Sequence, residues 1–199
     1  MRLLGKSLIV SVALIILLTA SCVPAPDENI LINPGFEDNQ PGQEPAFPPW
    51  WEWHETNEAK SGTVNGEVTD EVLHSGKQSA ARQVKGAALG CYAQTIEASP
   101  GEIVEAGVWI KTSKDFNGSE AYLRIEFKAR DNSIIQAIES KRIVSPDEPW
   151  KLYTVGPSPA PDRTAVVVFG IFLMGKDKNS YGKAWFDDGY LRVKFKGLI

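Results

Sequence analysis

Residues 103–112 read IVEAGVWIKT, and residues 121–129 read AYLRIEFKA. Both alternate. In the first, Val104, Ala106, Val108 and Ile110 fall on one side, leaving Ile103, Glu105, Gly107, Trp109 and Lys111 on the other. In the second, Leu123, Ile125, Phe127 and Ala129 fall together, and Tyr122, Arg124, Glu126 and Lys128 point the opposite way. Successive side chains of a strand point to opposite faces, so period two marks a half-buried strand; a helix would repeat its apolar positions every three to four residues. If the two strands are neighbours, Trp109, Tyr122, Arg124, Glu105 and Glu126 share one polar, aromatic face turned away from the core.

The same pattern extends outward from this pair. Short alternating or wholly apolar runs span 79–84, 91–98, 134–143, 150–155, 164–174 and 183–194. Between the runs stand SPGE, KDFNGSE, RDNS, SPDEP, PSPAPDR and GKDKNSYG, each with the Gly, Pro, Asn or Asp that a turn requires. No stretch of ten residues sustains helical periodicity, so the chain reads as all-β. Eight or nine antiparallel strands are accommodated by a two-sheet jelly-roll β-sandwich, which buries two sheet faces without helices. Residues 40–73 are rich in Pro, Gly, Trp and acids and read as a long ordered loop holding at most one short strand.

Composition narrows the function. The chain has 199 residues, a formal charge of −4 and a pI near 5.3. Its 21 Lys and Arg are scattered, which leaves no basic stripe for nucleic acid. Arg2 and Lys6 precede an apolar run from Leu8 to Leu18, then TASC. That is an export signal too short for a comfortable membrane span. Small residues directly before Cys22 resemble the lipobox of bacterial lipoproteins, although Thr19 stands where a Leu is usual. The resemblance implies a signal over 1–21, a lipidated Cys22 opening a tether over 22–28, a domain over 29–195, and a location in the bacterial cell envelope, anchored to the membrane. A plain secretory signal or an uncleaved anchor is the alternative. Cleavage would leave Cys91 as the single thiol, a small buried one without assigned chemistry, so no intramolecular disulfide can staple the domain. With His54 and His74 the only histidines and no Cys-x-x-Cys, a transition-metal site is not expected.

Seven phrases in order, NILINPGFE, LHSGKQSA, YAQTI before SPGE, VEAGVWIKT, EPWKLYTV, APDRTAVVVFGIF and KAWFDDGYL, resemble carbohydrate-binding modules of the CenC-type superfamily, families four, nine, sixteen and twenty-two. They cover residues 29–194. The resemblance implies a galactose-binding-domain-like β-sandwich. It also implies a structural calcium held by Glu37 and Asp187, with backbone carbonyls near Gly35 and Lys77; oxygen ligands from both chain ends suit that ion. On the other reading Asp187 and Asp188 are a turn pair and Glu37 is solvated. Asp188, one residue on, is expected to point away and be exposed.

Sugar rings present flat apolar faces edged by hydroxyls, so a receptor needs aromatic platforms beside planar hydrogen-bonding groups. Trp50, Trp51 and Trp53 crowd the long loop after Pro48 and Pro49, and at least one is expected at the surface. The resemblance adds Gln94, Trp109, Tyr122, Arg124 and Glu126, with Arg82 a weaker addition; Trp150 and Trp185 are assigned to the core. The reading is non-catalytic binding of a polysaccharide or glycan by a lipid-anchored surface module. Two alternatives stand beside it. One is a glycan-active hydrolase or lyase using a pair such as Glu105 and Glu126, although no Glu-x-Asp-x-x-Glu cluster is present. The other is an adhesive envelope protein whose aromatic face meets another protein.

Overall fold

The computed structural model describes residues 28–44, 49–55 and 62–194. The expected signal, Cys22 and most of the tether lie outside the described residues, as do 45–48 and 56–61 of the long loop. Ten strands follow in order: β1 Trp51–His54, β2 Thr63–Thr69, β3 Ser79–Lys85, β4 Ala88–Glu97, β5 Ile103–Thr112, β6 Ser119–Lys128, β7 Ile134–Glu139, β8 Lys151–Pro159, β9 Val166–Gly175 and β10 Tyr181–Lys194. Eight of them sit where alternation predicts. β1 and β2 come from the span read as a loop: WEWH is only four residues, and TVNGEVT has too few apolar residues to show a buried face.

The strands form two antiparallel five-stranded sheets, ordered β1-β4-β9-β6-β7 and β2-β3-β10-β5-β8. Their inner faces make one core. Val104, Ala106, Val108 and Ile110 enter it from β5, and Leu123, Ile125 and Phe127 from β6, as period two requires. The two strands are not neighbours, however. The 113–118 connection carries the chain across the end of the sandwich, with Phe116 buried and Asn117 bridged to Tyr181. β5 therefore turns its outer side chains to one surface and β6 to the opposite one.

The N-terminal segment is sewn to β10. The Asn29 side chain donates to the Gly189 carbonyl and accepts from the Leu191 N–H, and the Ile30 N–H donates to the Leu191 carbonyl. Trp185 lies on the outer face of the second sheet, because its neighbours Ala184 and Phe186 take the inner positions. Trp150 is half-buried beside His74. Neither is in the core, contrary to expectation.

Candidate functional site

The outer face of the first sheet carries a trough of about 300 Å³ that crosses all five strands. Strand register fixes its layout. One row across the sheet runs Trp51, Ala93, Gly170, Arg124, Glu139; the next runs Trp53, Cys91, Phe172, Tyr122. Three strand spacings separate the Trp51 backbone from that of Arg124, roughly 14 Å at about 4.8 Å each. Between them Ala93 and Gly170 are the smallest residues available, so the floor lies low and Trp51 stands above it.

Each wall has its own chemistry. Trp51 and Trp53 alternate with Trp50 and Glu52, so their indoles project outward; they are 36% and 42% exposed. The Trp51 indole N–H donates to the Thr95 hydroxyl, which sets the ring's tilt. The opposite wall is charged: the Glu126 carboxylate lies 2.7 Å from an Arg124 nitrogen and 3.3 Å from Lys128 Nζ, and Arg124 also reaches Glu139 at 3.5 Å. These side chains are partly exposed, so their pairing orients donors and acceptors more than it stabilises the fold. Ile134 closes the far rim.

The floor is apolar. Phe172 stacks on Tyr122 with ring centroids 5.2 Å apart and planes 9° from parallel. Tyr122 is thereby buried, with the Arg142 guanidinium 4.3 Å above its ring, and burial pushes its hydroxyl up to about 12. It supports the floor and offers no open platform. Cys91 completes the floor, and burial pushes its thiol up to about 12 from an ordinary 9.0. Only the thiolate is nucleophilic, so at pH 8 the folded protein should react with iodoacetamide about 1000-fold more slowly than the unfolded chain. Equal rates in buffer and in denaturant would contradict this burial.

Other residues expected at this site lie elsewhere. Trp50 points inward, 3% exposed, packs against Phe36 at 4.9 Å and donates its indole N–H to the Asn33 carbonyl. Gln94 is buried, and its amide bonds both the N–H and the carbonyl of Ile32, replacing a missing strand partner. Arg82 is buried in the sandwich interior. Trp109 is on the second sheet, stacked at 3.9 Å on His74, so it shares no surface with Tyr122, Arg124 or Glu126. Glu105 is also on that sheet, paired with Arg192, which rules out a catalytic pair with Glu126. Sequence reading missed Ala93, Gly170, Phe172 and Ile134. Gly170 and Phe172 are hidden in VVVFGIF, because a central strand that is apolar on both faces shows no alternation.

At the end of the first sheet, Thr95, Glu97, Arg130 and Arg163 border a wider cleft of about 1270 Å³ between the strand connections. It is larger than the trough but has no aromatic lining, so the trough is the better match to a ring-shaped ligand.

A second constellation joins the chain ends. Asp187 is fully buried; its carboxylate accepts the N–H groups of His74, Ser75 and Asp188. Among the described residues it has no cationic side-chain partner, and burial pushes it up to about 6, with Asp188 adding to the rise. Glu37 accepts from the N–H groups of Lys77 and Gln78. A Cβ on Gly35 would stand 3.5 Å from Asp187 Oδ1 and from Asp188 Oδ1, and 3.7 Å from Glu37 Cγ, so the acids ring this glycine. Among the described residues no three His, Cys, Asp or Glu side chains converge closely enough to hold a metal by themselves. Asp188 does not point freely into solvent: it adopts φ 46° at a break in the β10–β5 register, and its carboxylate binds His74 Nδ1 at 2.6 Å and the Ser75 hydroxyl at 2.9 Å.

No protein-family model matches the sequence, and no curated protein matches it. Solved structures do match. A family 61 carbohydrate-binding module in complex with β-1,4-galactotriose superposes with a TM-score of 0.55 at 18% identity, over 83% of this chain and 98% of that one. The chain has the β-sandwich fold of carbohydrate-binding modules. The CBM22-1 xylan-binding domain of Paenibacillus barcinonensis Xyn10C shares this module fold at a TM-score of 0.50 and 16% identity, over 81% and 92% of the two chains. The enzymatically active domain of tailspike protein 4 of bacteriophage CBA120 matches at a TM-score of 0.63 and 14% identity, over 85% of this chain but only 22% of that one.

Proposed function

We propose that this chain is a non-catalytic glycan-binding module, held at the bacterial cell surface through a lipidated Cys22, and that the trough is its binding site. The observation that carries the reading is the pair of exposed indoles, Trp51 and Trp53, facing the Arg124–Glu126–Lys128 wall across an apolar floor. Sugar faces would stack on the indoles while their hydroxyls met the charged donors and acceptors opposite. Structural neighbours support it: one was solved with galactotriose and another is described as xylan-binding. Both carboxylates of the trough, Glu126 and Glu139, are already engaged by cations, which leaves neither free as acid or nucleophile.

In this reading a structural calcium sits with Glu37 and Asp187. The donors are all oxygen, as a hard cation requires, and Asp187 is a buried acid without a cationic side-chain partner among the described residues. With these two carboxylates as side-chain ligands, backbone carbonyls near Gly35 and Lys77 would complete the shell, and the ion would tie the segment before β1 to the last strand.

Titration calorimetry against soluble galactan, xylan and β-glucan tests the module. Saturable binding to at least one, without release of reducing ends, is the expected result. A folded protein that binds none would sink it, and newly released reducing ends would turn the reading to an enzyme. Loss of membrane association in Cys22→Ala checks the anchor.

A further inference from the structure

β1 carries both platform indoles, yet it is a four-residue edge strand paired only with β4. Four cross-strand partners, continued by one hydrogen bond from the Glu55 N–H to the Leu89 carbonyl, are a weak hold for a binding wall. Its inward residues must supply the rest, and alternation makes these Trp50, just before the strand, and Glu52 within it. Trp50 is anchored in the core. Glu52 reaches across the interior to the opposite sheet, where its carboxylate lies 2.9 Å from Arg82 Nη2 on β3.

Arg82 is costly where it stands. It is 0% exposed inside an apolar sandwich, and its Nε and Nη1 have no hydrogen-bond partner among the described residues. Its guanidinium lies 4.0 Å over the Tyr92 ring, whose hydroxyl also has no partner among the described residues. The surrounding backbone is kept bare to admit them: a Cβ on Gly90 would stand 2.7 Å from Arg82 Nη2, and one on Gly66 would collide with the Tyr92 hydroxyl. For stability alone an apolar side chain of similar volume serves as well or better than a buried ion pair, and unpaired buried donors add a further penalty. A buried charge kept at such cost points to what it holds.

We infer that Arg82 is a positioning residue for the trough: its ion pair with Glu52 clamps β1 to the second sheet and thereby sets the Trp53 indole. Trp53 depends on this clamp more than Trp51 does. Trp51 has the buried Trp50 next to it and its own hydrogen bond to Thr95, whereas the residue after Trp53 is the exposed His54. The consequence for glycan affinity rests on the function proposed above; the clamp itself does not.

The double variant Arg82→Met with Glu52→Met removes both charges at similar volume. Amide hydrogen exchange over 51–54 should quicken at least 10-fold relative to wild type while β9 amides stay unchanged. The fluorine NMR signal of 5-fluorotryptophan at Trp53, assigned by its loss in Trp53→Phe, should shift or broaden more than that of Trp51. Arg82→Lys, which keeps the ion pair, should restore protection of β1. Should the double variant fail to fold, the same exchange and fluorine readings on Glu52→Gln decide. Unchanged β1 exchange with an unmoved Trp53 signal would overturn the clamp. If a trough glycan exists, its affinity falls with the double variant and returns with Arg82→Lys. If wild type binds none, the proposed function fails while exchange and fluorine still judge the clamp.

Discussion

Trp53→Ala should weaken glycan binding by about 30-fold or more, with no loss of thermal stability. A central aromatic anchor in an interface is worth about 2 kcal/mol or more on truncation, and 1.4 kcal/mol is a factor of ten. Stability should not suffer, because the indole is already 42% exposed and its removal opens no cavity in the core. Trp51→Ala should follow the same direction. Trp109→Ala is the informative contrast. That indole stacks on His74 on the outer face of the other sheet, so its truncation should leave glycan affinity at the wild-type value. Trp50→Ala should cost about 3–5 kcal/mol of stability, since it deletes a core indole, and should weaken binding as well, because that indole anchors the strand that carries both platforms. Calorimetric affinities beside melting curves for the four variants separate these outcomes. A Trp109→Ala variant as weak as Trp53→Ala would place the site on the wrong sheet.

Replacing Asp187 by Ala should destabilise the fold by roughly 3–6 kcal/mol, a large part of the 5–15 kcal/mol that holds an ordinary domain together. Three N–H groups in partly buried hydrogen bonds, from His74, Ser75 and Asp188, would lose their acceptor at once. The pH dependence has a definite sign. Asp187 is pushed up to about 6 in the folded protein, whereas an unfolded aspartate ionises near 3.9. Between these values the folded chain keeps a proton that the unfolded chain has released. This contribution, up to about 3 kcal/mol, is therefore complete below pH 4 and lost as pH rises through 6 in the absence of metal. The calcium proposed at this acid would act oppositely, because a cation holds the carboxylate ionised. Added calcium should raise Tm clearly at pH 7 and hardly at pH 4.5, and EDTA should reverse the gain. Asp187→Asn should abolish that response while costing less stability than Asp187→Ala. A Tm indifferent to calcium and EDTA at pH 7 would remove the ion and leave the hydrogen-bonding role of Asp187 standing.

Turns and alternation disclose strands because they are local. SPGE, RDNS and GKDKNSYG are legible as connections, since Gly, Pro, Asn and Asp act on their own backbone. The inward sides of β5 and β6 are legible too, since period two is a property of each strand alone. The partition into sheets is not. Alternation states which side of a strand is dry but not which partner makes it so; hence Trp109 and Tyr122, thirteen residues apart in consecutive strands, end on opposite surfaces. The WWEW run shows the same division at closer range. Its alternation separates Trp51 and Trp53 from Trp50 and Glu52, but only the packing of Phe36 over Trp50, and of Arg82 beside Glu52, decides which pair turns inward.

The sequence by itself thus determined an all-β sandwich, most of its strands and an aromatic-rich segment ahead of them. The tertiary structure alone decided which aromatics face water, because exposure depends on the strand lying opposite, and that strand is distant in the chain. It alone also revealed the trough floor of Cys91, Gly170 and Phe172. Those residues matter by what they leave open between two walls, and an open space has no signature in the order of residues.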